Sequence, residues 1–162
     1  MKLDPVFEVK ANKLYKLADG SEVTPSSLKL IDIKWSEVEL EPESYNEALL
    51  ADLREQLKPL DDSDTFVILN PIVDKDLTTQ DSVELFINAY NHTARRIKDC
   101  TCIAGFLLPQ ALMVYEKGAV SGPNQFIEAL AVKHAQYVYF SSVDDLNKSQ
   151  MNSKDSIAIY GN

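Results

Sequence analysis

Cys102-Ile103-Ala104-Gly105-Phe106-Leu107-Leu108 is apolar without interruption and is followed by Pro109. A second such run, Thr65-Phe66-Val67-Ile68-Leu69, is followed by Asn70-Pro71. Strands with one face in water alternate apolar and polar residues, whereas unbroken apolar runs are typical of parallel strands that are covered on both faces. These two stretches therefore predict the central strands of a parallel sheet packed between helices.

Two weaker strand patterns flank this pair, at Leu28–Ile33 and at Tyr137–Phe140. Apolar residues recur at helical spacing between the strands, over 45–57, 83–97 and 126–134. Capping signals at Ser44-Tyr45-Asn46-Glu47 and at Asp81-Ser82-Val83-Glu84 predict where two of these helices begin. Strands that alternate with helices imply right-handed crossovers, so we predict an α/β fold with a parallel sheet built as β-α-β-α-β-α-β, like half of a TIM barrel.

The two ends of the chain carry different patterns. Segment 7–23 predicts a β-hairpin with Asp19-Gly20 as its turn. Residues 1–145 are predicted to form one α/β domain, with the hairpin in 1–25 and the βα units in 26–145. Residues 146–162 are predicted to be a loose polar tail, in which only Ile157–Tyr160 has strand character. The hairpin and this tail strand are candidates to cover the two sheet edges, and association of two chains edge to edge or face to face is the alternative. We expect a covered edge combined with a homodimer.

The composition of the chain argues against several classes of partner and cofactor. The 162 residues include 16 Lys+Arg and 25 Asp+Glu, a net charge of −9, which argues against a nucleic-acid or anionic membrane partner. We expect no membrane-spanning helix, and the polar start of the chain predicts a cytoplasmic protein. We expect Cys100 and Cys102 to be buried free thiols rather than metal ligands. With five glycines and neither G-x-G-x-x-G nor G-x-x-x-x-G-K-[ST], no nucleotide cofactor is expected.

Ligands of parallel α/β folds bind beyond the carboxyl ends of the strands. This rule selects side chains that follow the predicted strands, and the ligand-binding candidates are Trp35, Asn70, Gln110 and Ser141. Trp35 is a candidate to stack on a sugar ring, and the alternative is that it caps the core. Glycoside hydrolysis needs two carboxyl groups, for which the candidates are Glu37, Asp74 and Glu116. The acidic stretch 37–43 is otherwise explained as a solvated run before a helix.

Two segments resemble a known enzyme family. Ile31-Asp32-Ile33-Lys34-Trp35-Ser36-Glu37-Val38-Glu39 with Tyr45-Asn46, and the segment Phe86–Leu112, are similar to the N-terminal half of (β/α)8 glycoside hydrolases of the cellulase and β-galactosidase type. In that family an Asn-Glu-Pro motif supplies a residue that contacts the sugar and the general acid/base. The resemblance places this motif on Gln110, Ala111 and Leu112, so the acid/base is not kept, because alanine has no ionisable group.

Three functional hypotheses follow. The first is a non-catalytic, glycosidase-like protein that acts as a binding or interaction module for a carbohydrate or another small molecule. The second is an active carbohydrate hydrolase with a rearranged pair, Glu37 with Asp74 or Glu116. The third is a flavodoxin-like small-ligand domain, which predicts a sheet whose strand order reverses near its middle.

Overall fold

The computed structural model describes residues 3–118 and 120–161. Its strands are β1 (Phe7–Lys10), β2 (Lys13–Lys16), β3 (Glu22–Val23), β4 (Lys29–Lys34), β5 (Glu39–Glu41), β6 (Ser44–Tyr45), β7 (Val67–Ile72), β8 (Ile103–Leu107), β9 (Glu116–Lys117), β10 (Val120–Ser121), β11 (Val138–Ser141) and β12 (Ile157–Ile159). Its helices are α1 (Trp35–Val38), α2 (Glu47–Leu57), α3 (Gln80–Arg96), α4 (Gln110–Met113), α5 (Gly122–Ala131) and α6 (Val143–Lys148). Short 3-10 helices span Pro25–Ser27, Lys58–Asp62 and Lys154–Ser156.

A five-stranded sheet in the order β12-β11-β8-β7-β4 forms the centre of the protein, and every neighbouring pair is parallel. The predicted α/β class and the half-barrel-like arrangement are therefore confirmed. The spatial order follows the order along the chain without a reversal. A flavodoxin-like sheet reverses its order, so the third hypothesis is wrong.

The two faces of the sheet are covered differently. On one face Leu69, Phe106 and Tyr139 belong to a large core that includes residues of α2, α3 and α5. On the other face Ile68 and Phe140 pack with residues of the N-terminal strands. The unbroken apolar runs thus correctly indicated two covered faces, but helices cover only one of them.

The N-terminal segment is a three-stranded antiparallel sheet, β1-β2-β3, rather than a simple hairpin. The turn between β1 and β2 is Ala11-Asn12, with φ of 49° and 66°, whereas Asp19-Gly20 lies between β2 and β3. Asn12 holds this turn by donating its side-chain amide to Lys154 O at 2.6 Å and Ile157 O at 2.8 Å. Tertiary contacts therefore stabilise a left-handed turn for which the local sequence lacks a glycine.

The C-terminal segment was expected to be loose, and residues 157–159 instead form the fifth strand. β12 pairs in parallel with β11, and both Ile157 and Ala158 are buried. The Ile159 N–H donates to Asn12 O at 3.1 Å, so the turn between β1 and β2 covers the outer edge of β12. The tail strand and the N-terminal turn thus cover this edge of the sheet, as considered from the sequence.

The residues that cap the N-termini of the two long helices differ from the predicted ones. α2 begins after Asn46, whose side chain accepts the Leu49 N–H at 3.2 Å, and Ser44 lies in β6 instead. α3 begins after Thr79, with which Ser82 forms a reciprocal pair of hydrogen bonds. In both cases the capping side chain lies two residues away from the predicted one.

Candidate functional site

The carboxyl ends of the parallel strands place the residues that follow them at one edge of the sheet. α1 begins directly after β4, and α4 begins three residues after the end of β8. α6 begins after a single residue that follows β11. These short connections hold the candidate side chains close to the sheet.

Trp35 lies in the core and is 2% exposed. Its ring meets Phe86 edge-on with centroids 5.2 Å apart, and the Lys75 ammonium lies 5.2 Å from the ring centroid. This burial leaves the ring no face for a sugar. Trp35 therefore caps the core, as the alternative interpretation held, and its predicted role in stacking on a ligand is corrected.

Glu39 is buried, with 2% of its surface exposed, and its carboxylate forms hydrogen bonds that hold the segment between β4 and α2. Its Oε1 accepts the indole N–H of Trp35 at 3.0 Å and a Lys75 Nζ–H at 3.3 Å, while Oε2 accepts the Glu43 N–H at 3.0 Å. The interpretation of 37–43 as a wholly solvated run is wrong at this position. The four-residue spacing between Trp35 and Glu39 was the signal available, because it brings side chains together along one helical turn.

Asp74, a candidate catalytic carboxylate, is engaged by Ser36. Oδ1 accepts the Ser36 N–H at 2.9 Å and Oδ2 accepts the Ser36 hydroxyl at 2.5 Å. Burial raises the pKa of Asp74, but these hydrogen bonds, with help from the charge of Lys34, outweigh it and hold the pKa below its usual range. Asp74 is therefore ionised at neutral pH, which suits a structural acceptor and not a proton donor.

The other two carboxylate candidates are exposed. Glu37 lies in α1, next in sequence to Ser36, which contacts Asp74. Glu116 lies in β9, a two-residue strand that pairs with β10 in the connection between β8 and β11. The structure thus places Glu37 beside a residue bonded to Asp74, and Glu116 in a separate hairpin.

Asn70 and Asp32 form a polar pair on neighbouring strands. They are opposite in the register of β7 and β4, and Asn70 Nδ2 donates to Asp32 Oδ1 at 2.8 Å. Side chains two residues apart on a strand share a face, so Asn70 lies on the face of Ile68, opposite the helices. Asn70 is half-buried and Asp32 exposed, so both are open to a ligand. Asn70 was a candidate from the sequence, whereas Asp32 was not.

The two remaining candidates differ in access. Gln110 is exposed as the first residue of α4, and Ala111 beside it is half-buried. Ser141 is fully buried, and its hydroxyl donates to Ser142 O at 2.9 Å. Ser141 has no surface for a ligand, so its predicted binding role is corrected in the same way as that of Trp35.

The cysteines lie away from this edge, Cys102 directly before β8 and Cys100 two residues earlier. Both are free and buried, as expected. Burial raises the pKa of Cys100 to about 11 and that of Cys102 to about 12, so both remain protonated at neutral pH. Within 3–118 and 120–161, no group of three or more His, Cys, Asp or Glu side chains is arranged to hold a metal ion. In those same ranges no helix is long and apolar enough to cross a membrane.

No family model and no curated protein matches the sequence. Solved structures match the fold. Endoglucanase Cel5A of Pseudomonas stutzeri, in complex with cellobiose, is 14% identical with a TM-score of 0.58, and the match covers 86% of this chain and 51% of that one. Endo-glycoceramidase II of Rhodococcus sp. is 11% identical with a TM-score of 0.51, covering 74% of this chain and 42% of that one. A GH5_18 protein of Bifidobacterium longum subsp. infantis is 9% identical with a TM-score of 0.50, covering 70% and 34%.

The chain has the fold of part of a (β/α)8 glycoside hydrolase. The resemblance predicted from the sequence is confirmed for the fold. The match spans about half of Cel5A and less of the other two proteins. At these identities the likeness concerns the fold alone, so the chemistry depends on the side chains of this chain.

Proposed function

We propose that the chain is a non-catalytic binding module with a glycosidase-like fold, and that its ligand is a carbohydrate bound at the carboxyl edge of the sheet. The observation that carries this proposal is Ala111. The resemblance aligns it with the general acid/base of the family, and it follows Gln110 at the start of α4, which begins three residues after the end of β8.

The chemistry of glycoside hydrolysis supports a loss of catalysis. One carboxyl group must be protonated to assist the leaving oxygen, and a second must act as nucleophile or base. Alanine cannot do either. Asp74 has both oxygens engaged by Ser36 and a lowered pKa, which makes it a poor proton donor.

The side chains that remain open suit sugar hydroxyls. Asn70, Asp32 and Gln110 offer amide donors together with carbonyl and carboxylate acceptors, which hydroxyl groups need as partners. Structures related in fold were solved with cellobiose in Cel5A and as a lactosyl-enzyme intermediate of endo-glycoceramidase II. Cellobiose and lactose are therefore the first ligands to test.

Calorimetric titration with cellobiose and lactose tests binding. We expect Asn70→Ala and Gln110→Ala each to weaken binding about two- to tenfold, the effect of losing one hydrogen bond. Asn88→Ala, an exposed amide on α3, is the matched control and should bind as the wild type does. Absence of binding to either disaccharide, or equal binding by all variants, would contradict a carbohydrate site at this edge.

The competing function is hydrolysis by a rearranged pair, Glu37 with Asp74 or Glu116. It is favoured by the position of exposed Glu37 next to Ser36, which contacts Asp74. Release of nitrophenol from aryl β-cellobioside distinguishes the two functions. Turnover by the wild type that is lost in Glu37→Gln but kept in Glu41→Gln, an exposed neighbour, would overturn the non-catalytic proposal.

A further inference from the structure

A buried imidazole lies in the connection between α5 and β11, residues 132–137. His134 is 4% exposed, and its Nε2 has no hydrogen-bond partner among the described residues. The His134 N–H donates to Leu130 O at 2.8 Å, near the end of α5. The imidazole ring stacks on the ring of Tyr137, a core residue, with centroids 6.1 Å apart. The buried ring therefore ties this connection to the core, at the end of the sheet opposite the carboxyl edge.

The neutral form of the imidazole fits this position better than the protonated form. A neutral ring carries a hydrogen on only one of its two nitrogens, so the buried Nε2 can remain an unprotonated acceptor. Protonation puts a hydrogen on both nitrogens, which leaves a buried N–H at Nε2 without an acceptor. A buried charge without a partner is costly. Acid therefore favours conformations in which this ring reaches water.

The charges that act on His134 have the same sign as its protonated ring. They come from the last turn of α3, from the residues that follow it and from the connection itself, and they are Arg95, Lys98 and Lys133. Burial, with these cations as the smaller cause, holds the pKa of His134 below its usual range. The connection is therefore most stable above the ordinary imidazole pKa of about 6.5 and loses stability as pH falls below that value.

The titratable groups on the side of Tyr137 carry no charge that could offset a protonated imidazole. Burial raises the pKa of the Tyr137 hydroxyl above its usual range, and Cys100 and Cys102 are the titratable groups that act on it. Burial also raises the pKa of both thiols, so all three groups are neutral at and below neutral pH. A charge on His134 thus gains no ion pair from this side.

We propose that His134 is a pH-sensitive switch, and that its protonation in mild acid releases the connection 132–137 from the core while the sheet stays formed. The other histidine of the chain has the opposite surroundings. His92 Nε2 lies 2.9 Å from Glu47 Oε2, so protonation of His92 adds charge to an existing contact. Only His134 is therefore placed so that its protonation breaks local packing.

Hydrogen exchange of the full chain, followed by NMR at about pH 7.5 and about pH 5.5, tests this switch. The protection factor of the His134 N–H, which includes the correction for the intrinsic rate, should be about three- to tenfold lower at the acid pH. One pH unit below the ordinary imidazole pKa changes the opening equilibrium by at most about tenfold. The Leu108 N–H, which donates to Phe140 O at 2.8 Å, reports on the sheet and should stay better protected than that of His134 at both pH values.

Two variants separate the switch from other effects of acid. His134→Gln removes the titrating group and should show the same protection at both pH values, whereas His92→Gln is the matched control and should keep the acid-induced loss. The titration of the imidazole signals needs no variant, and the midpoint for His134 should lie below about 6.5.

The outcomes that would overturn the proposal are distinct. They are an unchanged protection factor of the His134 N–H in the wild type, a loss that persists in His134→Gln, and a titration midpoint at or above the ordinary value. Equal protection of the His134 and Leu108 amides in acid would also overturn it, because the connection would then open only when the whole sheet unfolds.

Discussion

Removing the carboxylate of Glu39 should unfold the protein at a lower denaturant concentration. Glu39→Ala leaves the indole N–H of Trp35 buried without its acceptor at 3.0 Å. It also removes the acceptor of the Glu43 N–H and one partner of Lys75. These losses make Glu39 the anchor of the segment between β4 and α2.

The magnitude follows from the exposure of each partner. A buried donor left without an acceptor costs about 1–3 kcal/mol, which applies to Trp35 at 2% exposure. The Lys75 side chain is 31% exposed and can rehydrate, so its contribution is small. Glu43 is exposed and its N–H regains water. We therefore expect Glu39→Ala to lower the free energy of unfolding by about 1–3 kcal/mol, most of it from the buried indole donor.

Urea unfolding measures this loss. Trp35 is the only tryptophan, so its fluorescence reports directly on the site, and far-UV circular dichroism provides an independent probe. Glu39→Gln keeps acceptor oxygen for the indole and loses only the charge, so its loss should be smaller. Glu41→Ala is the matched control, because Glu41 lies on the same strand and is exposed. A Glu39→Ala protein within about 0.5 kcal/mol of the control would refute the anchoring role.

Three further predictions concern other parts of the fold. Gly105→Ala should destabilise the protein by more than about 3 kcal/mol in urea unfolding, because the new Cβ would lie 1.6 Å from Val138 O; near-wild-type stability would rule out this close approach. Asn12→Ala should speed hydrogen exchange in β12 without a similar change in β7, because two side-chain hydrogen bonds to the C-terminal segment are lost; unchanged exchange in β12 would contradict this. Hydrogen bonding from Arg54 holds the pKa of Asp99 below its usual range. The ionised Asp99 therefore stabilises the fold at pH values above the ordinary carboxyl pKa, and this stabilisation is lost as pH falls through the depressed pKa. Unfolding between about pH 5 and about pH 2 should therefore show a steeper loss for the wild type than for Asp99→Asn, and parallel curves would contradict it.

The sheet was predictable because its central strands are covered on both faces. That burial favours the unbroken apolar runs at the start of β7 and throughout β8. A strand with one face in water would instead alternate apolar and polar residues. β12 was predicted only as a candidate edge strand within a loose tail, because three residues, Ile157–Ile159, give a short pattern in a polar segment. The turn at Ala11-Asn12 was missed because its stability comes from contacts with the C-terminal segment, 142 or more residues away.

The candidate site was predictable only in part. The carboxyl-end rule selected Asn70 and Gln110, which remain open to a ligand. It also selected Trp35 and Ser141, whose burial depends on packing that local sequence does not encode. Asp32 was missed because the rule considers residues beyond a strand, whereas Asp32 lies within β4 and reaches Asn70 through the sheet register.

One NMR sample tests the central proposal, with isotope-labelled protein and cellobiose observed together over a day. We expect the side-chain amide signals of Asn70 and Gln110 to shift with added cellobiose while the anomeric signals of the disaccharide keep their intensity. Growth of free glucose signals would show that the chain is a hydrolase. Amide signals that stay in place at saturating sugar would show that this edge does not bind the disaccharide.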